Sequence, residues 1–171
     1  MSGSSLLNPL GMRHILIVII FVLGVQTTNA QTLSEPDSLQ VINKINDWNQ
    51  GWKIKDVKLA CKWYSKNADF TNAFGFNMIG QEAIQQYLTR VFGFDFVMAG
   101  NTVQTSLKFK KISDKAILVI TTVERMGQET ADNISLGTRN TTHYRLFEKT
   151  DQWEITAHLI SDARSTASEK H

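Results

Sequence analysis

Cysteine is almost missing from the chain: Cys61 is the single one in 171 residues. An intrachain disulfide is therefore excluded, and stability in an oxidising compartment has to come from packing or from association of subunits. A surplus of charge of either sign is missing as well. Eighteen basic side chains stand against sixteen acidic ones, and setting Arg13 aside with the N-terminal segment leaves seventeen. That balance gives no electrostatic case for nucleic acid or for an anionic membrane surface. Repeats, low-complexity tracts and linkers are absent too, so nothing divides Gln31 to His171 into more than one domain.

No apolar run is long enough to span a bilayer, which takes about 20 residues. The run from Ile15 to Val25 is shorter, follows Arg13 and His14, and leads to the small and polar residues Thr28-Asn29-Ala30. This layout predicts a secretory signal over residues 1–30, cleaved after Ala30, with Met12 as an alternative start. The mature protein is then exported, periplasmic or secreted, without a stable membrane anchor. With Cys61 far beyond the cut, a lipid anchor at the new terminus is not expected.

What is present reads as helices first and strands afterwards. Ser34-Glu35-Pro36-Asp37 forms a capping box with proline in the first turn, and Ile42, Ile45, Trp48 and Trp52 recur behind it at helical spacing. Gly51 reads as a fraying end or a kink. Asp56 caps a second helix through Trp63, Ser65 to Asn67 break it, and Ala68 to Thr71 is a short strand. Phe74-Gly75-Phe76 is a turn. Gly80 opens a third helix with the stripe Ile84, Tyr87, Leu88 and Val91. After a loop from Gly93 to Gly100 the period becomes two, with strands around Val103 to Phe109, Ala116 to Arg125, Thr138 to Glu148 and Trp153 to Ser161. Three helices followed by an antiparallel meander make an α+β pattern in which the helices cover one face of the sheet.

The last hairpin permits a finer expectation. With Lys149 opposite Gln152, Leu146, Tyr144 and Thr142 share a face with Trp153, Ile155, Ala157 and Leu159, and that apolar face turns to the helices. His143 then stands across from His158, and Arg139 from Asp162, on the outer face. A slip of one residue destroys this pairing.

Several segments together resemble the SnoaL-like proteins of the nuclear transport factor 2 superfamily, in particular the SgcJ/EcaC-like branch also called domain of unknown function 4440. They are the helix end Asn46-Asp47-Trp48-Asn49-Gln50-Gly51, the run Ala68-Asp69-Phe70-Thr71-Asn72-Ala73-Phe74-Gly75, the helix start Gly80-Gln81-Glu82-Ala83-Ile84, and Trp153-Glu154-Ile155. The resemblance implies a cone-shaped, strongly curved antiparallel sheet packed against three N-terminal helices, a deep and largely apolar pocket, and frequent homodimers. Trp48, Tyr64, Phe70, Phe74, Tyr87 and Tyr144 are the aromatic supply for such a pocket.

The resemblance also bears on chemistry. Isomerase-like relatives carry a catalytic carboxylate where this chain has Asn72, and an amide has no useful basicity. Asp69 is the nearest carboxylate, with a turn or capping role expected. Many relatives place a histidine in the last strand on the pocket side, near Leu159; here His158 is one residue away and falls on the outer face of the expected register. Two histidines make an incomplete metal site. Neither a metal nor a cofactor is expected, and the sequence provides no convincing general base. The reading is an exported protein binding a small, largely apolar ligand, contacted by Asn72, Leu159 and the aromatic set. The alternatives are an isomerase, cyclase or dehydratase working by proton transfer, for which only Asp69, Glu124 or a reversed register of the last hairpin could provide the titratable group, and a homodimerising association domain.

Overall fold

The computed structural model describes residues 33–163. The chain divides into two units, residues 1–30 and 31–171. The expected leader and its cleavage point lie outside the described residues, and the fold is that of the second unit.

Helix α1, Glu35–Lys53, begins where the capping box places it: the Ser34 hydroxyl accepts the Asp37 amide at 3.3 Å, satisfying one donor that the helix leaves open. Its inner face buries Val41, Ile45 and Trp48. Gly51 is no kink, since a side chain there would collide with the backbone of Ala60. Glycine lets α1 lie against α2, Val57–Cys61, which starts at an Asp56 cap on the Leu59 amide at 3.0 Å. That helix stops two residues short of Trp63, because β1, Tyr64–Thr71, begins at once. Ser65 to Asn67 belong to the strand, at an irregularity where its pairing shifts between Tyr64 and Asp69. A short β2, Asn77–Ile79, returns along β1. Helix α3, Gln81–Phe92, buries Ile84, Leu88 and Phe92, and a single turn, α4, Asp95–Met98, occupies the loop before the meander.

The meander consists of β3 (Asn101–Ser113), β4 (Ala116–Met126), β5 (Arg139–Lys149) and β6 (Trp153–Ala163). Sheet order is β2-β1-β6-β5-β4-β3. One pairing departs from the antiparallel expectation, since β1 runs parallel to β6 and makes the open, curved sheet a mixed one. A parallel neighbour needs a long crossover, and everything between β1 and β6 supplies it. The core lies between the helices and one sheet face, where Ile45, Trp48, Ile84 and Leu88 meet Ile117, Val119, Phe147, Trp153 and Ile155.

The last hairpin corrects the expected register. Lys149 pairs with Trp153 and Phe147 with Ile155, so the loop is one residue longer than an even turn allows. A bulge then intervenes between Phe147 and Leu146, after which Arg145 faces His158 and Tyr144 faces Leu159. The bulge changes the parity of β6: Trp153 and Ile155 point inward, and beyond it His158 does. Inward residues of β5 are Phe147, Arg145 and His143, the reverse of the expected faces, leaving Tyr144 and Leu159 outside at 37% and 48% exposure.

Candidate functional site

A cavity of about 760 Å³ opens between α1, α3, α4 and the concave face of the sheet. Local sequence explains its two characters. Its apolar part combines Trp48, Tyr87, Val91 and Met98 of the helices with Phe70 of β1 and Ile160 of β6, while α1 also brings Asn46, Asp47, Asn49, Gln50 and Lys53 to the wall. On the sheet side, alternation along β4 and β5 brings Val123, Arg125, Arg139, Thr141 and His143 to it.

Five of the eight residues expected at a pocket line this one: Trp48, Phe70, Asn72, Phe74 and Tyr87. Tyr64 lies behind the wall, buried against Trp48 and Phe70. Tyr144 and Leu159 are corrections, since the hairpin register turns both to the outer face. Asn72 is employed in structure. Its Oδ1 accepts the Phe74 and Phe76 amides, both at 2.9 Å, which closes the turn after β1, and its Nδ2 donates to the Tyr87 hydroxyl at 2.5 Å. Asp69 is exposed, lies within β1 and bonds Asn77 across β1–β2, so it neither closes a turn nor caps a helix, and it does not line the cavity. Of the pair at the end of β4, Arg125 faces the cavity and Glu124 does not line it.

The sequence reading missed a buried polar chain behind the cavity. Tyr64 Oη lies 2.5 Å from His158 Nδ1, His158 Nε2 lies 3.0 Å from His143 Nδ1, and His143 Nε2 lies 3.4 Å from Thr141 Oγ1. Arg145 closes the set, donating to Thr121 Oγ1 at 2.8 Å and to His143 Nδ1 at 3.0 Å. A signal existed: Arg139, Thr141, His143 and Arg145 share the parity of Phe147, but four polar residues read naturally as an outer face.

Guanidinium only donates, and this fixes the protons. His143 Nδ1 must accept from Arg145, so the proton of the neutral ring sits on Nε2. The contact between the two histidines then requires His158 to donate from Nε2, leaving its Nδ1 to accept the Tyr64 hydroxyl proton. Burial, helped by the Arg145 charge, pushes both imidazoles well below their ordinary titration range, so both are neutral at neutral pH. Burial likewise holds the Tyr64 phenol well above its usual range, so it stays protonated. Arg145 itself is 1% exposed and pulled down to about 10 by burial. Among the described residues no carboxylate pairs with it, and its Nε has no hydrogen-bond partner.

Near the mouth, Arg125 donates to the carbonyls of Val97 and Ala99, and Arg139 bonds Gln128 Oε1 at 2.8 Å while pairing with Asp162. The Arg139–Asp162 pair thus exists as expected, but on the inner side. Among the described residues no three His, Cys, Asp or Glu side chains gather in the way a metal site needs. Burial pushes the thiol of Cys61 up to about 12, which disfavours the thiolate that nucleophilic chemistry needs, and Cys61 does not line the cavity.

Comparison with protein-family models finds no match, and neither does comparison with curated proteins. Solved structures do match. An uncharacterized protein with a cystatin-like fold from Caulobacter vibrioides superposes with TM-score 0.67 at 11% identity, over 75% of this chain and 91% of that one. A nuclear transport factor 2-like protein from Shewanella oneidensis gives 0.58 at 16% identity, over 73% and 98%. A provisionally named scytalone dehydratase from Novosphingobium aromaticivorans gives 0.60 at 12% identity, over 77% and 87%. The chain therefore has the cystatin-like, nuclear transport factor 2-like α+β fold. Likeness at such low identity shows architecture alone, because this fold carries many activities. The narrower SgcJ/EcaC-like placement stays an expectation of the sequence.

Proposed function

We propose that the protein binds a small, largely apolar molecule in this cavity. The observation that carries the reading is the cavity itself: about 760 Å³, the size of a small-molecule site, with aromatic and aliphatic surface interspersed with polar and charged side chains. Trp48, Phe70, Val91 and Ile160 supply apolar contact. Tyr87 can orient the guest, because its oxygen accepts from Asn72 and, among the described residues, no side chain takes its own proton. Thermal unfolding in the presence of steroid-like, aromatic polyketide and carotenoid-like compounds tests this. A ligand present at a hundred times its dissociation constant adds about 2.7 kcal/mol of stability, and no shift across all three classes would sink the reading.

A second reading has a specific observation behind it, the hydrogen-bonded run from Tyr64 through His158 to His143 at the cavity wall. Proton-transfer chemistry of isomerase, cyclase or dehydratase type would have to pass through His143. The lone pair of its Nδ1 is taken by Arg145 and His158, which leaves a donor and no base. Binding without turnover is accordingly the better supported function. Export and pairing of two copies belong to the same proposal: sizing the secreted chain tests the first, and sedimentation at high concentration the second, a monomer removing it.

A further inference from the structure

The cavity has one feature that an apolar guest would not use. Arg145 is a cation enclosed by protein, with neutral partners where a carboxylate would ordinarily stand. Its donation to His143 Nδ1 keeps the imidazole proton on Nε2. Nδ1 is the nitrogen turned toward Arg145 and His158, neither of which lines the cavity, whereas Nε2 lies on the side of Thr141, which does. The deep sheet wall therefore presents an N–H donor with a positive charge directly behind it.

The rest of the lining has the same sign. Asp47 is the one acidic side chain on it among the described residues, and Asp47 is occupied by Trp63 Nε1 at 2.7 Å and Lys62 at 3.3 Å. Lys53, Lys55, Arg125 and Arg139 line the cavity too. Lys55 and Arg139 have carboxylate partners in Asp95 and Asp162, while Arg125 is held by backbone carbonyls alone. In a site walled by apolar groups such charges attract an anion more strongly than they would in water.

We propose that the natural guest is an organic acid: an apolar body against Trp48, Phe70 and Ile160, with a carboxylate or enolate oxygen accepting the His143 Nε2 proton. This rests on the reading of the cavity as a small-molecule site and names the ligand's class. An anionic oxygen provides the negative charge that the Arg145–His143 pair otherwise lacks, and hydrogen bonds to charged acceptors are stronger than neutral ones.

The test is a matched pair of probes, 2-naphthoate and 2-naphthamide, titrated calorimetrically into the full mature protein at neutral pH. The carboxylate is expected to bind about tenfold or more tightly than the amide. In His143→Leu that preference should fall to within about threefold, with binding of the amide little changed. Equal binding of both probes to the unaltered protein overturns the acid assignment and leaves the cavity reading standing; binding of neither overturns both. Should His143→Leu not fold, nitrogen-15 shifts of the imidazoles in the unaltered protein decide. A proton on Nε2 of His143 is expected, and a proton on its Nδ1 overturns the proposal.

Discussion

Strands β5 and β6 run side by side through two environments, and the contrast between their ends separates stability from function. At the turn end, Phe147, Trp153 and Ile155 are sealed at 0 to 1% exposure. Trp153 Nε1 and Lys149 Nζ both donate to Asp37 Oδ1, at 2.7 and 2.8 Å, fastening the hairpin to the first turn of α1. Past the bulge the same two strands turn Arg145, His143 and His158 inward. Apolar packing at the first end gains free energy without conditions. The second end desolvates a cation and two imidazoles, an arrangement that costs stability and is expected where a site has to recognise something.

The largest effect should come from the turn end. Trp153→Ala removes a fully buried tryptophan side chain and a hydrogen bond to Asp37, and is expected to destabilise by about 3–5 kcal/mol. Urea unfolding followed by circular dichroism measures it. A loss under about 1 kcal/mol would mean that this end is not the anchor, and the contrast would collapse.

Acid should distinguish the two ends by pH window. His143 and His158 have folded pKa values well below 6.5 and are therefore neutral in the fold, whereas the unfolded chain binds protons near 6.5. Their contribution is fully present above that pH and is lost as pH falls below it, at up to about 1.4 kcal/mol per histidine for each pH unit. Asp37 is lowered from 3.8 to about 2, chiefly by its hydrogen bonds to Lys149 and Trp153. Its contribution is present above 3.8 and lost as pH falls toward about 2, worth about 1 kcal/mol for a side chain that is partly exposed. Stability measured from pH 7 to pH 3 should therefore decline first through the histidines. Replacing both with leucine should remove the upper limb and leave the lower one, and an unchanged upper limb would show that the histidines are not buried as described.

Arg145→Met tests whether the polar end is maintained at a cost. No charged partner is orphaned by the change, so stability is expected to stay level or rise by about 1 kcal/mol, while the preference for an acid over its amide declines. Denaturant midpoints and calorimetric titration on the same preparation check both halves. A drop of several kcal/mol would mean that the guanidinium holds the fold together.

The helices and the β6 half of the turn end were legible in the sequence because each rests on a local rule, whereas Phe147 on the β5 half was expected outward and is buried. Ser34 and Asp56 cap, Ile45 and Trp48 recur at helical spacing, and Trp153 and Ile155 alternate. The aromatic half of the cavity followed from the resemblance, with Trp48, Phe70 and Tyr87 placed on it. The polar half was hidden by two non-local facts. A loop one residue longer than an even turn reversed the faces of β5, and the bulge then restored His158 to the interior. Neither has a glycine or proline to mark it. Polar side chains were assigned outward by the rule that fails at sites, where burial of charge is retained for recognition.

The smallest effect expected is also the sharpest check of that register. Leu159 and Tyr144 are Cα partners on the outer face, flanked by the inward His158 and His143. In the even register Leu159 would fill the cavity, and Leu159→Thr would cost several kcal/mol and weaken any guest. In the bulged register the substitution trades one exposed residue for another with good strand propensity. Stability should change by no more than about 0.5 kcal/mol and binding of 2-naphthoate not at all. His158→Leu, one position away, should alter both, since it removes the acceptor of the Tyr64 hydroxyl and the donor to His143. Adjacent positions with opposite outcomes are what a parity change in β6 requires, and equal outcomes would return the strand to the regular alternation.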